Sequence, residues 1–258
     1  MILQHNILTD KKYSRIISLV PSQTELLFHL GLEKEVIGIT KFCVHPEDWF
    51  RNKTRVGGTK NINFKTIHQL CPDLIIANKE ENVKEQIEEL AKMYDVWVTD
   101  VNDLSDAINM INDIGKLTGQ TESASALALQ INEEFERLRK ISSSKRRIRT
   151  AYFIWKDPYM VAGGDTFIND MMRYCGFENV FSNQNRYPEI ILQELKEKNC
   201  QLILLSSEPY PFKEKHKKQI EKETPGIKII LVDGEMFSWY GSRLIKATEY
   251  FSELNYNL

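Results

Sequence analysis

Residues 121–140 narrow what this chain can fold into more than any other stretch. Ala124, Leu127, Ala128, Ile131, Phe135 and Leu138 recur there at helical spacing along a single stripe. Such a segment packs on one face only. Thr121 is placed to cap its start, Glu122 sits where the helix dipole favours an anion, and Arg137, Arg139 and Lys140 crowd the end that favours cations. At about 1.5 Å per residue, a helix of this length reaches on the order of 30 Å. The expectation is a stiff strut set between two α/β halves.

Before the strut, Arg15-Ile-Ile-Ser-Leu-Val20 is an apolar run of buried-strand type, followed by Pro21-Ser-Gln-Thr24 and an apolar helix closed by Gly31. A strand at 36–39 leads into a long polar connection, residues 41–63, which contains His45-Pro46 and Gly57-Gly58. A loop of that length inside a compact domain usually serves function. Then come a helix at 64–70, a buried strand at 73–77, a helix at 82–93, a strand at 96–98 and a helix at 104–117. After the strut the alternation restarts: strand 150–154, helix 166–175 stopped by Gly176, helix 190–196, strand 201–205, helix 212–220, strand 227–232 and a closing helix at 242–254. Alternation of this kind argues for mainly parallel sheets. The expected domains are an N-terminal α/β lobe at 1–118, a linking helix at 119–144 and a C-terminal α/β lobe at 145–258.

Composition permits that division, because 258 residues with 42% hydrophobic content can bury two modest cores. A net charge of -2 and a pI near 6.3 provide no basic field for nucleic acid, so Lys145, Arg146 and Arg147 read as a solvated junction. Cys43, Cys71, Cys175 and Cys200 show no CxxC spacing and read as free thiols. No apolar stretch approaches the roughly 20 residues needed to span a bilayer, and residues 1–10 lack a basic segment followed by an apolar one. The protein is therefore expected in the cytoplasm if the chain is complete, which the start at Met1 favours, and in the periplasm or at a membrane if a leader has been lost.

Two stretches, 67–78 and 192–206, both run helix, short loop, buried strand, and each strand empties into an acidic turn: Lys79-Glu80-Glu81-Asn82 and Ser206-Ser207-Glu208-Pro209. In open parallel sheets, ligands meet the loops at the carboxyl ends of strands, so both turns belong to a functional rim.

Arg15-Ile-Ile-Ser-Leu-Val-Pro-Ser-Gln-Thr-Glu-Leu-Leu27, Cys71-Pro-Asp-Leu-Ile-Ile-Ala77, the strut, and Gly176-Phe-Glu-Asn-Val-Phe181 with Arg186-Tyr-Pro-Glu189 form an ordered set along nearly the whole chain. That set resembles the helical-backbone substrate-binding proteins of ABC importers for vitamin B12, haem and ferric siderophores. The resemblance implies an α/β fold of two mainly parallel-sheet lobes joined by one long rigid helix, with a shallow ligand cleft between them. It also implies an exposed acidic residue on each lobe that docks onto arginines of an ABC permease. Glu208 matches the second-lobe position; in the first lobe the matching position falls on Lys84, leaving Glu81 and Glu85 as candidates.

Within that cleft, Pro21, Ser22 and Thr24 form a strand-to-helix turn whose backbone N–H groups either face an anionic or amide-bearing ligand or make a plain N-cap. His45 in the long loop is the candidate ligand of iron or cobalt, against the alternative of an ordinary loop histidine. Thr59 and Lys60 stand where the resembling cobalamin proteins place a Trp. In the second half, Trp155 and Tyr159 follow a strand, and Gly164 in Ala162-Gly-Gly-Asp165 lets backbone approach a ligand. Phe237, Trp239, Tyr240 and Arg243 crowd a segment punctuated by Gly234 and Gly241; rigid aromatics beside one cation suit a flat macrocycle with amides or carboxylates, and core packing is the rival explanation.

No GxSxG elbow, P-loop or HExxH stretch is present, and Gly163-Gly164 is no dinucleotide fingerprint, so no enzyme and no catalytic cofactor are expected. The expected function is that of an importer's binding protein for a metal-centred chelate, a corrinoid first, otherwise a ferric siderophore or haem. The alternative is a stand-alone cytoplasmic receptor for the same chelates without a permease. Either would act as a monomer on a small molecule.

Overall fold

The computed structural model of the protein describes residues 2–3, 11–143 and 146–256. Of the expected basic junction, Lys145 lies outside the described residues, while Arg146 and Arg147 are exposed. The chain divides into two compact units. The first comprises Met1–Val101, Ser105–Asn132 and Trp239–Arg243; the second comprises Asn102–Leu104, Glu133–Ser238 and Leu244–Leu258.

In the first unit the elements run β1 (Ile2–Leu3), β2 (Ile16–Ser18), α1 (Pro21–His29), β3 (Val36–Ile39), α2 (Glu47–Asn52), β4 (Thr54–Arg55), α3 (Phe64–Leu70), β5 (Leu74–Asn78), α4 (Lys84–Leu90), β6 (Asp95–Thr99) and α5 (Leu104–Thr118), whose first residue already counts with the second unit. The six strands form one sheet in the order β1-β6-β5-β2-β3-β4, and every described pairing in it is parallel. Crossover helices cover such a sheet, so its central strands carry apolar residues throughout, and β5 is buried at all five positions. Ile17, Ile75, Ala77 and Val96 from the strands pack with Leu19, just past β2, and with Ile67, Ile87 and Leu90 from α3 and α4 as its core.

Helix α6 (Thr121–Ser143) has its first half in the first unit and its second half in the second. Ala124, Leu127, Ala128, Ile131, Phe135 and Leu138 are all buried, the stripe expected from their spacing. The helix begins at Thr121 itself, with the Ala124 N–H donating to the Gln120 carbonyl at 3.0 Å, so Gln120 holds the position expected of Thr121.

The second unit continues with β7 (Ile148–Trp155), β8 (Met160–Val161), α7 (Phe167–Tyr174), β9 (Phe177–Asn179), α8 (Gln193–Glu197), β10 (Leu202–Ser206), α9 (Glu214–Glu223), β11 (Lys228–Val232), α10 (Gly234–Ser238) and α11 (Leu244–Tyr256). Its strands run β11-β10-β7-β8, with β9 also on β7; the β7–β8 pairing is antiparallel and the others are parallel. Phe153, Leu205, Phe181, Leu195, Phe212 and Ile220 meet in its core.

Several expected elements change extent for local reasons. Residues 190–196 are helical only from Gln193, because the Ile190 N–H is drawn to the Tyr159 carbonyl at 2.9 Å and Glu189 bridges Met160. The helix expected at 82–93 is confined to α4, since the Asn82 side chain accepts from the Asn78 N–H at 2.8 Å and closes a turn. The long connection 41–63 is not a loop throughout: α2 buries Trp49 and β4 pairs with β3. The segment 233–243 likewise contains the helical turn α10.

A candidate binding site at the strand ends of the first unit

The turn from β2 into α1 starts the helix at Pro21, whose missing N–H costs nothing in a first turn. Val20 occupies the cap without a side-chain bond, and its carbonyl accepts from the Thr24 N–H at 2.9 Å. Ser22 and Thr24 are both buried. The Thr24 hydroxyl lies within hydrogen-bond reach of Ser18 Oγ at 2.7 Å, the Val20 carbonyl at 2.9 Å and Cys43 Sγ at 3.1 Å. It is a brace between elements.

Through Cys43 that brace reaches the turn carrying His45. Thr40 Oγ1 lies 3.2 Å from the same sulfur, and with Cys43 drawn inward its neighbours Phe42 and Val44 point out, 51% and 39% exposed. His45 is half-buried, its ring edge-on to Trp239 with centroids 5.6 Å apart at 72°. The Arg243 guanidinium lies over the Trp239 ring, 4.8 Å from its centroid, and is itself forked onto Glu25, Nε and Nη2 each 2.8 Å from a carboxylate oxygen. The cation expected to meet ligand carboxylates is thus already paired. Tyr240 is buried in the same segment.

The rim after β5 is held by amide side chains. Asn78 Oδ1 accepts from the N–H groups of Glu80 and Glu81 at 2.8 and 3.2 Å, and its Nδ2 donates to the Thr99 carbonyl at 3.1 Å. Asn82 Nδ2 donates to the carbonyl of buried Thr59 at 3.1 Å, while Lys60 Nζ donates to the Glu80 carbonyl. Lys60 and Thr59 therefore strap the Gly57–Lys60 turn to the acidic turn. Glu81, expected as an outward carboxylate, is half-buried, and burial pushes its carboxyl above the usual carboxylate range although nearby Lys60 pulls it down. Glu85 on α4 is exposed.

In the second unit, Trp155 ends β7 with 40% of its surface exposed and its ring edge-on to Tyr210 at 5.6 Å. Tyr159 packs on Phe153 at 5.6 Å, and its burial pushes the phenol up against the pull of Lys156. Gly164 is explained by the chain itself: a Cβ there would lie 2.0 Å from the Ser182 carbonyl oxygen, and the Gly164 N–H donates to the Gln184 carbonyl at 2.7 Å. Phe237 lies on α10 rather than in a loop and is fully buried, 4.7 Å from Phe251 and 5.0 Å from Tyr152. Core packing is the explanation that holds for it. Glu208 is half-buried, accepting from Ser238 Oγ at 2.6 Å.

Sequence reasoning passed over Glu25, Phe42 and Val44. Glu25 carried a signal, a lone charge entering the apolar run Leu26-Leu27-Phe28; Phe42 and Val44 carried none beyond two apolar residues in a polar stretch.

A rim of parallel strand ends set with aromatic, amide and imidazole groups is that of a ligand-binding α/β protein. A family model for periplasmic binding proteins matches residues 16–228, and the chain belongs to that family. Among its relatives, the vitamin B12-binding protein of Pectobacterium carotovorum subsp. carotovorum (strain PC1) is 24% identical over 239 residues, covering 91% of this chain and 86% of its own. The uncharacterized ABC transporter substrate-binding lipoprotein YvrC of Bacillus subtilis (strain 168) is 24% identical over 261 residues, covering 95% of this chain and 81% of its own. The crystal structure of a periplasmic haem binding protein from Pseudomonas aeruginosa superposes with a TM-score of 0.81 at 18% identity, covering 95% of this chain and 93% of that one. At that identity the likeness speaks for the fold alone. These relatives are binding proteins and not enzymes, and with periplasmic and lipoprotein names among them the cytoplasmic expectation finds no support. No helix among the described residues is long and apolar enough to cross a membrane.

Proposed function

We propose that this chain is the substrate-binding component of an ABC importer whose cargo is a metal-centred chelate, a corrinoid first and a ferric siderophore or haem otherwise. The observation that carries the reading is the cluster around His45: a half-buried imidazole edge-on to Trp239, on a turn that exposes Phe42 and Val44. An imidazole nitrogen is a good ligand for iron or cobalt, and rigid apolar side chains beside it suit the face of a macrocycle. The vitamin B12-binding relative supports the order of preference.

In this reading Pro21, Ser22, Trp239 and Tyr240 line the same neighbourhood, while Thr24, Thr59 and Lys60 hold its turns. In the second unit, taken by itself, Trp155 and Tyr159 remain candidate contacts. The lipoprotein relative named for ABC transport supports a permease partner, with Glu208 and Glu85 as docking carboxylates and Glu81, half-buried, the weaker candidate; it also supports a location outside the cytoplasm. Nothing in the relatives' names favours a stand-alone receptor.

Titration with cyanocobalamin, haemin and ferrichrome, followed by visible absorbance and tryptophan quenching, tests the proposal. A saturable one-to-one end point with one of them is expected. No response to any of the three contradicts it.

A further inference from the structure

Glu25 stands on α1 and Arg243 stands 218 residues later, yet they form a two-pronged ion pair with only 14% and 7% of their side chains exposed. A fork of this kind fixes the guanidinium plane as well as its position. The plane matters because the same guanidinium lies 4.8 Å from the Trp239 ring centroid, and that ring meets His45 at 5.6 Å. Gly241, between them, has φ at 109° and its Cα faces α1, where a Cβ would meet Leu26 Cβ at 3.3 Å and the Ser22 carbonyl oxygen at 3.4 Å. Residues 239–243 are thus seated on α1 by backbone shape and tied to it by the Glu25–Arg243 pair.

We infer that Glu25 is a positioning residue of the binding site: it touches no ligand, but by fixing Arg243 it sets the orientation of Trp239 and, through that ring, of His45. The inference rests on the reading of His45 and Trp239 as ligand contacts. Without the carboxylate, Arg243 is a buried cation lacking this counter-ion and turns toward water, and Trp239 loses a cation held at its ring. The Asp100–Lys79 and Glu47–Arg51 pairs lack this property, since both partners are exposed.

Glu25→Gln keeps the shape and removes the charge. NMR on the protein without ligand is expected to show the Trp239 indole and His45 imidazole signals displaced, with those of Trp155 and His216 unmoved. In titrations with cyanocobalamin and haemin, the variant is expected to bind whichever the wild type binds about tenfold more weakly, and Glu25→Asp to recover part of the loss. Unmoved Trp239 and His45 signals overturn the inference. So does unchanged affinity in Glu25→Gln where His45→Ala weakens binding. If the signals move but neither Glu25→Gln nor His45→Ala alters binding, the reading of the site has failed and the binding role of Glu25 falls with it. Should Glu25→Gln not fold, the charge-neutral double variant E25Q/R243Q takes the same measurements: displaced signals support the inference and native ones overturn it.

Discussion

The Thr24 hydroxyl meets the Cys43 sulfur at 3.1 Å, tying the first turn of α1 to the turn that carries His45. Because Cys43 sits there as a buried thiol, burial pushes it up against the opposing hydrogen bonds from Thr24 and Thr40. Cys175 is raised well above the usual thiol range and Cys200 is pushed up to about 11, both by burial, while Cys71 is exposed. With a thiol-reactive dye at pH 8, one equivalent reacts quickly, at Cys71, and three more react only after unfolding. Fast reaction of a second thiol in the folded protein, or a fast phase that persists in Cys71→Ser, is the contrary result.

Glu81 yields a pH-dependent prediction whose sign follows from its raised carboxyl. Burial disfavours its charged form, so its contribution to stability is fully present below the ordinary value of 4.5 and is lost as pH rises through the folded value. Glu81→Gln, which mimics the neutral form, therefore raises the melting temperature at pH 7 and gives little advantage at pH 4. Calorimetric scans at the two pH values check it, and a variant less stable at pH 7 speaks against the burial cost.

What was legible beforehand follows from how far each signal reaches along the chain. Runs such as Leu74–Asn78 and Leu202–Ser206 are buried on both faces, which apolar content alone reveals, and the α6 stripe repeats over enough turns to set its period. Five-residue elements such as α8 and α10 hold barely more than one turn, too short for any period, so Ile191 reads as helical although it precedes α8 with 67% of its surface exposed. The candidate site was legible as residue types at strand ends. What each residue does there was not, because Arg243 is neutralised by Glu25 from the far end of the sequence and Gly164 answers to the backbone at Ser182.

Phe237→Ala separates core from contact. Its ring is fully buried against Tyr152, Tyr250 and Phe251, so the substitution costs about 3–5 kcal/mol of stability. Chemical denaturation measures it; a loss below about 1 kcal/mol joined to a loss of ligand affinity would return Phe237 to the ligand.

Glu208 accepts from Ser238 Oγ at 2.6 Å within the second unit and is half-buried. If that carboxylate docks onto arginines of a permease, Glu208→Arg abolishes transport or complex formation and leaves ligand affinity unchanged, since like charges then face each other. Ser238→Ala separates local support from docking, because it removes this hydrogen bond without reversing the charge. Transport persisting in Glu208→Arg removes the docking role.

The proposal that a chelated metal is held at His45 is tested most directly by the visible spectrum of the bound ligand. Wild-type protein and His45→Ala are each saturated with the chelate that binds, and their difference spectra are compared under matched occupancy. Ligation by the imidazole predicts a shifted absorbance band in the wild type that is lost in His45→Ala, together with weaker binding. Superimposable spectra and equal affinities would contradict it.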